Sequence, residues 1–234
     1  MRSNTVLLGL MALMTGMASG QDTFREVVEK SFGVDQQLVN GIQFSNHYGR
    51  IEGHPYLMDG RFREGSLQVH GRIYNDIRIR YNLYTQRPEI EYRTADGYLN
   101  QFMAVPERID WFLVGGTAFR RLQPLNLPPA FYQVVSMDGD TCYVSWIKQL
   151  GSSTGSSSGY RFNPPEVSCI LRMDGHTMLF HNRKTLIKSF PAIKKKTLKR
   201  FMNGLNYPFR EPEPARYEEF ARKLIQLYWE EQVP

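Results

Sequence analysis

Cysteine is scarce, with two in 234 residues. That excludes a disulfide-dense miniprotein and a Cys-rich zinc module. Long apolar runs are missing after residue 17, so no later segment is expected to cross a bilayer as a helix. The histidines form no HxH or HExxH pair, and no dinucleotide fingerprint or phosphate-cradling glycine loop occurs. Neither a cofactor nor a metal site is therefore expected. Aromatic residues, in contrast, are abundant: 14 Phe, 13 Tyr and 3 Trp exclude a disordered chain. With 41% hydrophobic residues, the chain can bury a real core as one domain or two small ones.

The N-terminus reads as an export signal. Met1-Arg2 is a short basic start, Thr5 to Met17 is apolar, and Ala18-Ser19-Gly20 supplies small residues before Gln21. An uncleaved anchor is the alternative, but the apolar run falls short of the roughly 20 residues a spanning helix needs. Residues 1–20 are expected to be removed, leaving a protein that is periplasmic, outer-membrane-associated or extracellular. In such a compartment Cys142 and Cys169, each in a strand-like run, form a disulfide candidate. Two buried free thiols are the competing reading.

Thr23-Phe24-Arg25-Glu26 has capping-box spacing, and Phe24, Val27, Val28 and Phe32 recur at helical intervals. A short opening helix is expected there. The period then changes to two. From Gly65 to Tyr92 apolar residues alternate with polar ones, and pairing Tyr81 with Ile90 would set Arg80 opposite Glu91 on a solvated face. Asp138-Gly139 and Asp174-Gly175 lie between alternating runs, a strong hairpin signal. From Asn182 the pattern turns helical. Leu198, Phe201, Met202 and Leu205 form one stripe, and Tyr217, Phe220, Ala221, Leu224 and Tyr228 form another, joined through Pro208, Pro212 and Pro214. The expected fold is α+β, mainly β: an antiparallel sheet of hairpins curled into a sandwich or small barrel. A short N-terminal helix and two C-terminal helices would pack on it. Residues 21–181 form the β-rich part and 182–234 the helical part, expected within one domain.

Three blocks carry a resemblance: Leu38-Val39-Asn40-Gly41, Gly65 to Tyr84, and Leu171 to Phe190. Together they resemble an uncharacterised secreted family of Bacteroidetes-type bacteria. The resemblance implies the fold and an exported location and carries no catalytic residue across. Residues 151–159 look like an addition to that family's pattern.

Candidate chemistry is thin. Gly151 to Gly155 and Gly155 to Gly159 each match G-x-S-x-G, but Tyr160 to Pro165 cannot begin the helix that a nucleophile elbow requires, so a flexible loop is expected. His47, His54, His70, His176 and His181 show no ligand spacing. Glu89 and Glu91 read as a solvated strand face beside Arg78 and Arg80.

The net charge of +6 has one source. Residues 182–205 hold eight cations (Arg183, Lys184, Lys188, Lys194, Lys195, Lys196, Lys199 and Arg200) and no acid, whereas residues 1–181 are balanced. Lys194, Lys195, Lys196, Lys199 and Arg200 are therefore the candidates for contact with an anionic envelope surface or glycan. A solvated helix face partly neutralised by Glu218 and Glu219 is the alternative. A general affinity for nucleic acid does not follow from charge so localised. An apolar or glycan ligand between sheet and helices is a further candidate partner, with Trp111, Trp146 and the tyrosines as lining. The function expected is a non-enzymatic binding or structural module of the envelope or secreted fraction. The alternative is a secreted hydrolase whose site assembles only in three dimensions. An outer-membrane barrel is disfavoured by the charged helical C-terminal quarter.

Overall fold

The computed structural model describes residues 42–43, 48, 50–93, 99–124, 128–155, 157–190, 193, 195–204 and 212–232. The expected signal segment, the opening helix, His47, Lys194, Leu205 and Pro208 lie outside them.

Among the described residues thirteen strands are formed. In chain order they are β1 (Ile42–Gln43), β2 (Arg63–Val69), β3 (Arg72–Asn82), β4 (Arg87–Arg93), β5 (Leu99–Met103), β6 (Ile109–Val114) and β7 (Thr117–Leu122). They continue as β8 (Ala130–Met137), β9 (Asp140–Ile147), β10 (Leu150–Ser152), β11 (Tyr160–Phe162), β12 (Glu166–Met173) and β13 (His176–Phe180). Eleven make one antiparallel sheet in the order β1-β5-β4-β3-β2-β6-β7-β8-β9-β12-β13, and β10 pairs with β11 in a separate hairpin. Among the described residues three α-helices follow: α1 (Arg183–Ser189), α2 (Lys195–Gly204) and α3 (Pro214–Gln232). The mainly β, antiparallel expectation holds. Among the described residues the sheet is not closed, with β1 and β13 standing at its two ends.

The open sheet is nevertheless strongly curled. Lys148 N donates to Leu83 O at 3.2 Å, joining the ends of β9 and β3 across four intervening strands. In a flat sheet those strands would lie about 24 Å apart. The β2–β3 hairpin is itself bent. Ala104 N donates to Pro88 O and His70 N to Arg108 O, so residues 104–108 tie the two ends of β3 together. Fully extended, that link reaches about 17 Å, less than the roughly 36 Å that a straight strand from His70 to Tyr81 would cover. The bend sits at a register shift opposite Gly65/Leu67, where Asp76 adopts a left-handed φ of 56°.

Local chemistry explains the hairpins. Asp138-Gly139 and Asp174-Gly175 both have positive φ at each residue, giving two-residue turns with Met137 opposite Asp140 and Met173 opposite His176. The β3–β4 hairpin forms as expected but two residues out of the expected register: Ile79 faces Ile90, Arg80 faces Glu89 and Arg78 faces Glu91. The turn falls earlier than the sequence suggested, between Asn82 and Arg87. Asn82 Oδ1 accepts from Tyr84 N and Thr85 N, both at 3.1 Å, and closes the loop before Gln86.

Alternation along the strands sends one face inward. In β9, Cys142, Val144 and Trp146 are buried, and in β3 Ile77, Ile79 and Tyr81 are. Tyr81, Phe112, Phe119 and Phe131 meet with ring centroids 5.0–6.1 Å apart, filling the curl with aromatic side chains from four strands. α3 closes the other side. Its Tyr217 packs on Trp146 at 5.1 Å and its Phe220 on Phe180 at 6.2 Å. The buried amide of Gln133 fixes the start of α3: Nε2 donates to Pro214 O at 2.9 Å, and Oε1 accepts from Trp146 Nε1 at 3.0 Å. At the far end Trp229 Nε1 donates to Asp140 Oδ2 at 2.7 Å. Sheet and helices thus share one core cluster. Among the described residues no helix is long and apolar enough to cross a membrane.

Candidate functional site

The polar face of β3 and β4 is not solvated as expected. Tyr56 and Phe62 lie over it, and Glu89 is almost completely buried. Glu89 Oε2 accepts from Arg80 at 2.7 Å, and Oε1 accepts from Asn82 Nδ2 at 3.1 Å. The Arg80 guanidinium is sandwiched between the rings of Tyr56, 3.9 Å away, and Phe62, 4.3 Å away. Burial, then the nearby Glu89 charge, pushes the Tyr56 hydroxyl well above its ordinary range. Glu91 is paired with Arg78 and accepts from Gln101 Nε2 at 2.9 Å. Each carboxylate is held by donors on both oxygens, an arrangement that fixes an ion pair within the fold. Lys148 reaches the same cover: its Nζ donates to His54 O at 2.8 Å, and desolvation holds the amine down to about 8. Burial, then the Lys148 charge, lowers the His54 imidazole.

Among the described residues the other histidines do not converge. His176 and His181 are exposed at the two ends of β13, and His70 occupies the β2–β3 turn. The G-x-S-x-G matches form the loop between β10 and β11, with no helix after either serine. Ser153 Oγ donates to Glu52 Oε2 at 3.0 Å. Nucleophile-elbow geometry is therefore not built. Among the described residues no group of three His, Cys, Asp or Glu could hold a metal ion.

Cys142 and Cys169 are free and buried, the second of the two readings that the sequence left open. The register gives the reason. Cys142 faces Leu171 and Cys169 faces Val144, so the two cysteines are diagonal rather than directly opposed. Diagonal neighbours sit about 7–8 Å apart, beyond the usual reach of a bridge. The thiols still interact, and burial with the Cys142 contact raises the Cys169 thiol.

The basic helices are exposed as expected. Arg183, Lys184 and Lys188 on α1, and Lys195, Lys196, Lys199 and Arg200 on α2, all face solvent, while Leu186, Leu198 and Met202 turn inward. The neutralisation by Glu218 and Glu219 that the alternative reading invoked is not formed. Glu218 pairs with Arg222 at 2.9 Å and Glu219 with Lys223 at 2.6 Å, so both acids are engaged along their own helix. Among the described residues, none of the seven helical cations forms an ion pair.

A groove of about 760 Å³ opens between residues 50–52 and the β10–β11 hairpin. Phe162 N donates to Glu52 O at 3.0 Å and Glu52 N to Tyr160 O at 3.3 Å, a parallel bridge that fixes one wall. Ser153 N donates to Gly159 O at 2.9 Å and holds the loop opposite. Arg50, Glu52, Ser152, Ser153, Ser157 and Arg161 are among its lining residues. Sequence reading passed this feature over because a Gly/Ser run looks like a linker.

The space between sheet and helices, a candidate ligand site from the sequence, is occupied by Trp146, Tyr217, Phe180 and Phe220. No family model matches the chain, no curated protein matches it, and no solved structure matches its fold.

Proposed function

We infer that this is an exported, non-enzymatic protein of the envelope or secreted fraction that works by contact, with the α1–α2 face as the surface that meets an anionic envelope. The observation that carries the reading is the unmatched charge: seven exposed helical cations beside an α3 whose acids are already paired. Its placement adds weight. α2 has Lys195 and Lys196 in its first turn and no acid there, against the positive end of the helix dipole. Cations at that position cost roughly 0.3–1 kcal/mol each. A sequence shaped for stability alone would place acids there, so the cost points to a use.

Cosedimentation of the full-length chain with phosphatidylglycerol vesicles and phosphatidylcholine vesicles tests this. Binding to the anionic vesicles alone, falling steeply as salt rises from about 50 mM, is the expected result. The K195E/K196E/K199E variant should lose it. Equal binding by that variant, or no binding at low salt, overturns the reading.

A further inference from the structure

We propose that the groove between residues 50–52 and the β10–β11 hairpin binds an acidic oligosaccharide, with Arg50 and Arg161 gripping the sugar's acid group. This site is separate from the α1–α2 face and does not depend on it.

The lining divides by hydrogen-bonding role. Arg50 and Arg161 are donor-only forks, exposed, and without an ion-pair partner among the described residues. Guanidinium groups are shaped for two-pronged contact with a carboxylate or phosphate. Glu52 is acceptor-only, and it already accepts from Ser153 at one oxygen. Its second oxygen has acceptor capacity for a ligand hydroxyl. Ser152, Ser153, Thr154 and Ser157 donate or accept as the ligand requires. A ligand that satisfies all three kinds of group must carry an acid and several hydroxyls. A sugar with a carboxylate does so. A DNA backbone does not, since it carries phosphates but no hydroxyl to donate to the Glu52 carboxylate.

Size and construction agree. The groove's volume of about 760 Å³ falls within the roughly 300–1,000 Å³ of small-ligand sites. Its wall is also pinned by backbone bonds at both ends of the loop: Ser153 N to Gly159 O, and Asn163 N to Gln149 O, each at 2.9 Å. The hydroxyls are therefore presented from a closed hairpin, which lowers the ordering cost of binding.

Isothermal titration of the full-length protein supplies the test, using trigalacturonate and sialyllactose as acidic probes. Maltotriose and lactose serve as their neutral counterparts, and inorganic phosphate as a bare anion. At least one acidic probe should bind ten-fold or more tighter than its neutral counterpart and than phosphate. R50A/R161A should weaken that binding at least ten-fold. E52Q should weaken it less, and R222A on α3 should leave it unchanged. Because both arginines are exposed, an unchanged melting temperature will show that the double variant is folded. The proposal is overturned if neither acidic probe binds, if R50A/R161A binds as well as the parent, or if phosphate binds equally well. The last outcome would mean an adventitious anion site only.

Discussion

Glu89 and Arg80 keep each other out of water: the carboxylate lies 2.7 Å from the guanidinium, with 1% of the Glu89 side chain and 15% of the Arg80 side chain exposed. Breaking such a pair leaves one charge buried alone. Glu89→Ala should therefore cost about 3–5 kcal/mol in urea unfolding. The double variant R80M/E89L, which removes both charges, should lose much less than the sum of the single changes. An additive result would show that the pair is not coupled.

Gln133 is the hinge pin of α3. Replacing it with Leu strips the partner from Pro214 O and from Trp146 Nε1 at once. Each buried group left unpaired costs roughly 1–3 kcal/mol. A drop of about 2–5 kcal/mol is expected, together with a change in the near-ultraviolet circular dichroism of Trp146.

Gly65 stands where three strands meet, opposite Ile77 on β3 and Val114 on β6. A Cβ there would lie 2.1 Å from Leu113 O and 2.5 Å from Ile79 Cγ2. Because the nearer atom is backbone, the sheet itself must move. Gly65→Ala should destabilise by about 3 kcal/mol or more. Gly139→Ala meets no neighbouring atom within 4 Å, though its φ of 92° still strains a side chain. Thermal unfolding of the two variants should separate steric overlap at Gly65 from backbone strain alone at Gly139.

Lys148 ties stability to alkaline pH. Its folded value, about 8, lies below its ordinary 10.5. Between the two the unfolded chain binds more protons, so unfolding free energy rises with pH in that window. Below pH 8 the full penalty for burying the ammonium is present. Unfolding of the parent chain should become harder from pH 8 to 9.5, and Lys148→Met should flatten that slope. An equal slope in both would assign the effect elsewhere.

The thiols give a direct count. Alkylation in denaturant without reductant should add two labels per chain, one each at Cys142 and Cys169, whereas the folded protein should resist labelling because both are buried. An unlabelled denatured chain would mean a bridge.

The strands were legible because their signals are local. Alternation exposes Ile77, Ile79 and Tyr81 as one face, and Asp-Gly dipeptides mark two-residue turns. The β3–β4 register was not legible, since it depends on the Asn82 side chain closing the turn on Tyr84 and Thr85. Burial of Glu89 was missed because its cover, Tyr56 and Phe62, comes from a segment far away in sequence with no periodicity. Lys148 did carry a signal: it continues the inward alternation of Val144 and Trp146. The free cation face was read correctly as exposed, but the sequence could not show that Glu218 and Glu219 would be taken by Arg222 and Lys223.

The β10–β11 hairpin leaves the sheet and returns to it at one point, because Ile147 and Glu166 face each other across β9 and β12. The tip between Ser153 and Gly159 can consequently be lengthened, shortened or exchanged while β9 and β12 stay zipped, whereas Phe162 is tied to Glu52 and packs on Tyr48 and Tyr84. The loop tip that lines the proposed sugar groove can therefore change in sequence and length without disturbing the β9–β12 ladder. Altering that groove and keeping the sheet intact place their demands on separate stretches of the chain.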